Sequence, residues 1–511
     1  INNGEHDAKN YFDLGYEYQK NNNMEEAIEN YEKALKINPK IKFANYNLGI
    51  IYNEKEDFNE KEVFEKTIEY FNKEIKNYPD YLNSYYNLAL IYEKKERYQD
   101  AIDIYEEITK KDKAFATDFF NLAHAYQKVD KPIEAIKNYT AAIEKDKKYL
   151  AAYVNRALIH EQQGNLEKAI EDCSSAIEID PAYDLAYYNR AVFDYKLTKQ
   201  ADATKDYKLT KEADAIKDYK KTIDCNPYYE NAYNNLSFIF SESEQSDEAI
   251  NYFSELLKKN PENDLAFSNL TLFFSKSRKF DDAIGFYTEL INKNPLIKNL
   301  GDFYHERGWY FNKKEKFEDA ISDYTKALEK NANYSYVYNN RAVSYEGLKD
   351  YTKALEDYKI IIEKVDPEYA IAYYNIACLK LKLNKLDDKL DEVNSYFSDA
   401  LKYKNKFTSP IDQAWQAIAN AYLGNDDEAI NLLKNAEKFS DEPELSYYIS
   451  DAYAILFKKT SNVEFRDKSL KYLKSAIEKE ETNIKKICDE IDFDELRKNP
   501  EFIAQFGECP K

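Results

Sequence analysis

Glycine and proline are scarce in this chain, 10 and 12 among 511 residues. No run of alternating β-branched residues marks a strand, so a turn-rich sheet protein is excluded and an all-α body is expected. Histidine is scarcer still. His6, His124, His160 and His305 are the whole set, and no two share a helix face in the H-E-x-x-H arrangement that a metal hydrolase uses. The phosphate-cradling loops G-x-G-x-x-G and G-x-x-x-x-G-K-S/T are absent. With 94 carboxylates, close acidic pairs are inevitable and carry no information about acid–base chemistry. No catalytic residue, cofactor or metal site is therefore assigned, and an enzyme is not expected.

A basic surplus is missing too: the formal net charge is −21. Phosphate neutralisation needs a dense basic surface, so nucleic acid is not an expected partner. The acid excess suits a basic partner, and it equally keeps a long chain in solution. No window approaches eighteen consecutive apolar residues, so no membrane span is expected. The cysteines, Cys173, Cys225, Cys378, Cys488 and Cys509, are odd in number and contain no C-x-x-C pair. That pattern favours free thiols in a reducing, cytoplasmic compartment over a disulfide framework. The first residue is Ile and Ile1–Asp7 is polar, which leaves a processed leader open.

What the chain has is repetition. Alanine stands at 27, 101, 135, 169, 215, 249, 283, 320, 354 and 429, each followed four residues later by an apolar residue, most often Tyr. Many of these steps are 34 residues, the length of a helix pair copied along the chain. In the copy Ala8–Ile41, Tyr11, Leu14, Gly15 and Tyr18 share one face of a first helix, and Asn21–Asn23 break the pattern. Ala27, Ile28, Tyr31, Ala34 and Leu35 then share a face of a second helix, and Pro39 closes the unit. Gly15 and Ala27 are read as small because the two backbones approach closely there. Each unit contacts only its neighbours, so one uninterrupted domain is expected in place of the several that length alone suggests.

These residues resemble the tetratricopeptide repeat, whose pattern runs Leu-small, Tyr, Ala, aromatic, Ala, Pro. Leu48-Gly49, Leu88-Ala89, Leu122-Ala123 and Leu236-Ser237 match it; Arg156-Ala157, Arg190-Ala191, Arg307-Gly308 and Arg341-Ala342 replace the Leu by Arg. Closing prolines stand at 39, 79, 181, 227, 261 and 295. About thirteen units fit over 8–480, after a polar tail at 1–7, and 481–511 reads as a cap. Within the cap, Leu496, Phe502, Ile503 and Phe506 would cover the last unit's apolar face. The resemblance implies a right-handed α-solenoid of antiparallel helix pairs, its concave face lined by the first helices.

Insertions fall near 59–64, 195–206, 298–300 and 457–469, and most read as lengthened loops. The segment YKLTKQADATKD at 195–206 is followed at once by YKLTKEADAIKD. Twelve residues turn a helix by about 120° beyond whole turns, so they cannot extend one helix with its buried face intact, and a protruding hairpin is expected.

The position before each Leu/Arg-small pair is Asn47, Asn87, Asn121, Asn155, Asn189, Asn235, Asn269, Asn340 and Asn375, interrupted by Asp13 and Glu306. A carboxamide offers an acceptor and two donors, which match a peptide backbone whatever its side chains. The row resembles the asparagine ladders of the repeat domain of O-linked N-acetylglucosamine transferase and of armadillo-type importins, and such asparagines can equally bond only within their own repeat. Tyr46, Tyr86, Phe120 and Tyr188, one residue earlier, are candidate aromatic walls. Ile50, Leu90, Leu158, Val192, Phe238, Leu272, Trp309 and Val343, three residues later, are a candidate apolar stripe. The carboxylate clamp of co-chaperone repeat domains is rejected, because the Lys it needs before the ladder Asn is Tyr46, Tyr86, Phe120, Val154, Tyr188 or Asn234 here. The function expected is an adaptor that binds an extended peptide or helix of a partner protein in the groove. The alternatives are a structural subunit that uses its outer and end surfaces, and the targeting arm of an enzyme whose catalytic part is absent.

Overall fold

The computed structural model describes residues 2–54, 60–200, 204–383, 390–403, 409–440, 443–479 and 484–509, and among them no strand occurs. Among the described residues twenty-six helices, from α1 (Asn2–Lys20) to α26 (Val463–Glu478), alternate as first and second helices of thirteen repeats. α1 begins inside the segment expected as a tail. The chain divides into two compact units, Ile1–Glu244 and Gln245–Lys511, where one uninterrupted domain was expected. In a repeat array each element touches only its neighbours, so a cut crosses few contacts wherever it falls. Among the described residues no helix is long and apolar enough to cross a membrane.

The helix boundaries follow local chemistry. α2 (Met24–Ile37), α4 (Glu60–Asn77), α10 (Leu166–Ile179), α12 (Lys205–Cys225), α14 (Ser246–Lys259) and α16 (Phe280–Lys293) each end two residues before a proline. The residue before a proline is pushed out of the helical region, which fixes the stop. Most first helices end on a left-handed residue. After α1, Asn22 has φ 61°, Asn22 N–H donates to Gln19 O at 3.0 Å, and Asn23 N–H donates to Tyr18 O at 2.9 Å. That is a Schellman closure. Glu96, Asp130, Arg278, Glu315 and Lys349 play the same part at positive φ, and Gly164 does so without the Cβ penalty.

Inside each repeat the recurring alanines and aromatics form the core. Ala27, Tyr31, Ala101, Tyr105, Ala135, Tyr139, Ala320 and Tyr324 are all at most 1 % exposed. The reason for the small residue on the first helix differs from the expectation. A Cβ on Gly15 would lie 3.0 Å from the Tyr31 ring, so the space is taken by the second helix's aromatic side chain and not by its backbone.

The arginines that replace Leu are held in a way that composition does not show. Arg156, Arg190, Arg307 and Arg341 each make a two-pronged bond to a carboxylate on the second helix, Asp172, Asp218, Asp323 and Asp357, at 2.5–2.9 Å. Each also donates Nη1 to a hydroxyl on the preceding second helix, Thr140, Ser174, Thr288 or Thr325. The carboxylates are nearly fully buried, and planar two-point pairing is what makes such burial tolerable.

These pairs locate the insertions. The Arg-to-Asp separation is 16 in three repeats and 28 for Arg190–Asp218, so all twelve duplicated residues lie between the partners and the second copy supplies the aspartate. α11 (Asp184–Thr198) and the 21-residue α12 are both longer than most of their counterparts; 201–203 lie outside the described residues. Over 60–64 and 457–469 the added residues lengthen helices, giving the 18-residue α4 and α25 (Pro443–Thr460), where loops were expected; 59 lies outside the described residues. At 298–300 the linker itself is longer.

After α26 the chain makes α27 (Ile484–Asp489), a 3-10 turn at Ile491–Phe493, α28 (Asp494–Arg497) and α29 (Pro500–Phe506). Ile487, Phe493, Leu496 and Phe502 are buried against Ala454, Leu470 and Leu473, while Ile503 stays 39 % exposed. Cys488 and Cys509 form a disulfide, which corrects the expectation of free thiols; Cys173, Cys225 and Cys378 are free. The pairing depends on α27–α29 folding back on themselves, which no spacing of cysteines along the chain reveals.

Candidate functional site

The asparagine row lies on the first helices, half-buried at most positions. Its amide groups are largely engaged within the protein. In the first unit Asn47 donates to Tyr31 Oη at 2.9 Å, and Asn235 to Tyr219 Oη at 3.2 Å and Tyr188 Oη at 3.3 Å. Asn87 donates to Asn83 O at 2.8 Å and Tyr46 Oη at 3.4 Å, and Asn189 to Leu185 O at 2.8 Å. Asn121 and Asn155 are half-buried on α7 (Ala116–Lys128) and α9 (Leu150–Gln162). In the second unit Asn269 donates to Leu265 O at 2.7 Å, Asn340 to His305 Nε2 at 3.1 Å, and Asn375 to Asn339 Oδ1 at 2.9 Å.

The aromatic residues preceding the row pack between helices. Tyr86 donates to Asp118 Oδ1 at 2.8 Å. Phe120 sits edge-on to Tyr149 with centroids 5.1 Å apart, and Tyr188 lies 4.8 Å from Tyr229. They bridge successive repeats as half-buried side chains.

The apolar stripe three residues on reaches solvent. Leu90, Phe238, Leu272 and Val343 are 55, 53, 51 and 41 % exposed; Ile50, Leu158, Val192 and Trp309 are half-buried. One class of position, repeated along the first helices, thus presents large apolar groups to water within each unit.

In the second unit this face closes into a cleft of about 300 Å³. Five first helices line it: α17 (Leu300–Lys313) with Trp309 and Lys313, α19 (Ser335–Gly347) with Asn340 and Val343, α21 (Ala370–Leu383) with Tyr374 and Asn375, α23 (Pro410–Leu423) with Asp412 and Trp415, and α25 with Glu444 and Tyr448. Tyr324 of α18 (Phe317–Lys330) also lines it. Both tryptophans of the chain are in this lining.

A hydrogen-bond relay crosses three of these helices. His305 Nδ1 donates to Glu306 Oε1 at 3.1 Å, leaving Nε2 to accept from Asn340; Asn339 Nδ2 reaches Asn340 Oδ1 at 3.5 Å, and Asn375 reaches Asn339. Glu306, which interrupts the ladder in the sequence, is its first member. Trp415 Nε1 donates to Asp412 Oδ1 at 3.1 Å, and Lys313 Nζ sits 5.3 Å above the Trp309 ring. Burial pushes the pKa of the Tyr324 hydroxyl up, with Glu306 and Asp323 adding to the shift, so it stays a neutral donor. Sequence reasoning did not find the cleft, because Trp415 and Tyr448 belong to repeats too divergent for the pattern to place them.

Family models described as tetratricopeptide repeat match residues 8–41 and 151–183, 43–114, 230–263, 266–298 and 305–369, together more than half of the chain. None of these models is that of a catalytic domain. Curated protein sequences give no match. Among solved structures, the chain is similar to Naa15/Naa10 bound to HypK-THB, at 15 % identity and TM-score 0.39 over 98 % of this chain and 87 % of that one. It is also similar to the APC/C hetero-tetramer Cut9-Hcn1, at 16 % identity and TM-score 0.35 over 93 and 94 %. A third is YrrB, described as a repeat protein with an unusual peptide-binding site, at 20 % identity and TM-score 0.32 over 40 and 96 %.

Proposed function

Because the chain belongs to the tetratricopeptide repeat family, we propose that it is a non-catalytic adaptor holding an extended segment or helix of a partner protein along the face built by its first helices. The exposed stripe carries this reading. Leu90 and Phe238 in the first unit, and Leu272 and Val343 in the second, are large apolar groups at one repeat position with more than a third of their surface in water. Monomers rarely expose such a row without a partner for it. Beside the stripe, asparagines tethered to a tyrosine hydroxyl or to the carbonyl one turn back are fixed in orientation. At Asn47, Asn87 and Asn235, where the nitrogen is so engaged, the carboxamide oxygen is the group that would meet a backbone N–H, and fixed groups lose little entropy on binding. The acidic surface suits a basic partner.

The test is a pull-down from native lysate with the intact chain and with Asn87, Asn121, Asn155 and Asn189 all changed to Ala, both first shown equally helical by circular dichroism. Partners lost only from the variant support the reading. Partners retained equally by both place the function on other surfaces, as in a structural subunit.

A further inference from the structure

The C-terminal segment reaches further than a cap requires. Covering the last repeat needs contacts with α25 and α26 alone, yet the turn Glu490–Phe493 runs back over two earlier first helices. Lys382 of α21 pairs with Glu490 at 3.5 Å, Tyr422 of α23 donates to the Asp492 carboxylate, and Asp451 of α25 lies against the same group. Phe493 is fully buried, with its ring centroid 6.3 Å from that of Tyr447 on α25.

These contacts fall on the face that lines the cleft. Lys382, Tyr422 and Asp451 each stand seven residues after a cleft residue, Asn375, Trp415 and Glu444. Seven residues are two helical turns, so each pair shares a face. Cys378 stands three residues after Asn375, at the place of the apolar stripe. Burial pushes its thiol pKa up and the neighbouring Asp492 adds to the shift. The stripe that meets water at Leu272 and Val343 thus meets the chain's own C-terminal turn at Cys378. The Cys488–Cys509 bond ties the start of this turn to the end of the fold-back.

We infer that Glu490–Phe493 is a tethered ligand of the first-helix face, holding the place along α21, α23 and α25 that a partner's segment would take, with the Cys488–Cys509 disulfide as its latch. The inference rests on the first-helix face being the binding face. Its test is separate, because the ladder variant above changes only residues of the first unit. A dithiol such as dithiothreitol opens the latch: two electrons and two protons turn the S–S bond into the Cys488 and Cys509 thiols, and the dithiol closes to its own cyclic disulfide. A latch across a 21-residue separation favours the docked turn by a factor on the order of a hundred.

The test alkylates the full chain with iodoacetamide and reads Cys378 by mass spectrometry, before reduction and after reduction and removal of the dithiol. Cys378 labels on the order of a hundredfold faster in the reduced chain. Cys509→Ser, which leaves every residue of the face in place, labels as fast without reductant. N-acetyl-Glu-Ile-Asp-Phe-Asp-amide, the sequence of 490–494, slows the labelling of the reduced chain, and N-acetyl-Glu-Ile-Ala-Ala-Asp-amide does not. Equal labelling of the oxidised and reduced chains, no protection by the first peptide, or equal protection by the second overturns the proposal. Melting of the repeats on reduction, followed by circular dichroism, overturns it as well, since the segment would then belong to the core. Loss of partners on ladder mutation together with a Cys378 indifferent to reduction would leave the adaptor reading standing and remove only the latch.

Discussion

Replacing Arg341 by leucine restores the residue that other repeats carry at this place, Leu88, Leu122, Leu236 and Leu270, and yet it should destabilise the protein. Arg341 makes two bonds to Asp357, at 2.8 and 2.7 Å, and one to Thr325 Oγ1 at 3.1 Å. Asp357 is 3 % exposed, so leucine would strand a carboxylate away from water. Breaking a buried pair from one side costs about 3–5 kcal/mol. The remedy is present in the chain itself: where the first helix has Leu88, the position sixteen residues on is Ile104. The double change Arg341→Leu with Asp357→Ile should therefore lie within about 1 kcal/mol of the parent, since a buried ion pair exchanged for packed apolar groups is close to neutral. Urea denaturation followed by circular dichroism gives the overall change. Hydrogen exchange on α19 and α20 (Tyr351–Ile360) shows whether the loss is local, as a neighbour-coupled array requires. A single variant costing less than about 1 kcal/mol, or a double variant no better than the single, refutes the argument.

Two further outcomes concern the C-terminal segment. Asp492 bonds Tyr422 and sits near Glu490; burial is the main cause that pushes its pKa up from 3.8 to about 6, the Tyr422 bond opposes the shift and Glu490 adds to it. A raised acid pKa means that the docked state holds the proton more tightly, so docking is strongest below about pH 4 and weakens as pH rises through 6. Asp492→Asn should flatten that dependence in the exchange protection of α28, and an unchanged profile would contradict it. The Cys488–Cys509 bond closes a 21-residue separation, so reducing it should weaken the folded segment by about 3 kcal/mol. Limited proteolysis around Leu496 reads this directly, and undiminished protection after reduction would show that the apolar contacts suffice.

The repeat itself is determined by sequence alone, because its causes are local. The 34-residue step, the stop imposed by each proline and the face shared by Ala27, Tyr31 and Ala34 need only neighbouring residues to be read. So do the all-helical class and the row of first-helix asparagines. The Arg–Asp pairs were also latent there: every Arg that replaces Leu has an Asp sixteen residues on, or twenty-eight across the duplication.

What depended on tertiary structure was everything decided by which groups compete for one partner. Asn340 could bond Tyr324 or His305, and only the placement of His305 across from it, fixed by Glu306, settles the choice and leaves the Tyr324 hydroxyl without a hydrogen-bond partner among the described residues. Cys488 and Cys509 meet because α27–α29 fold back, and Trp309 and Trp415, 106 positions apart in the numbering, share one cleft because successive first helices curve around it. Periodicity fixes the face on which a side chain lies; which of two neighbours it reaches is set by the packing of several helices at once.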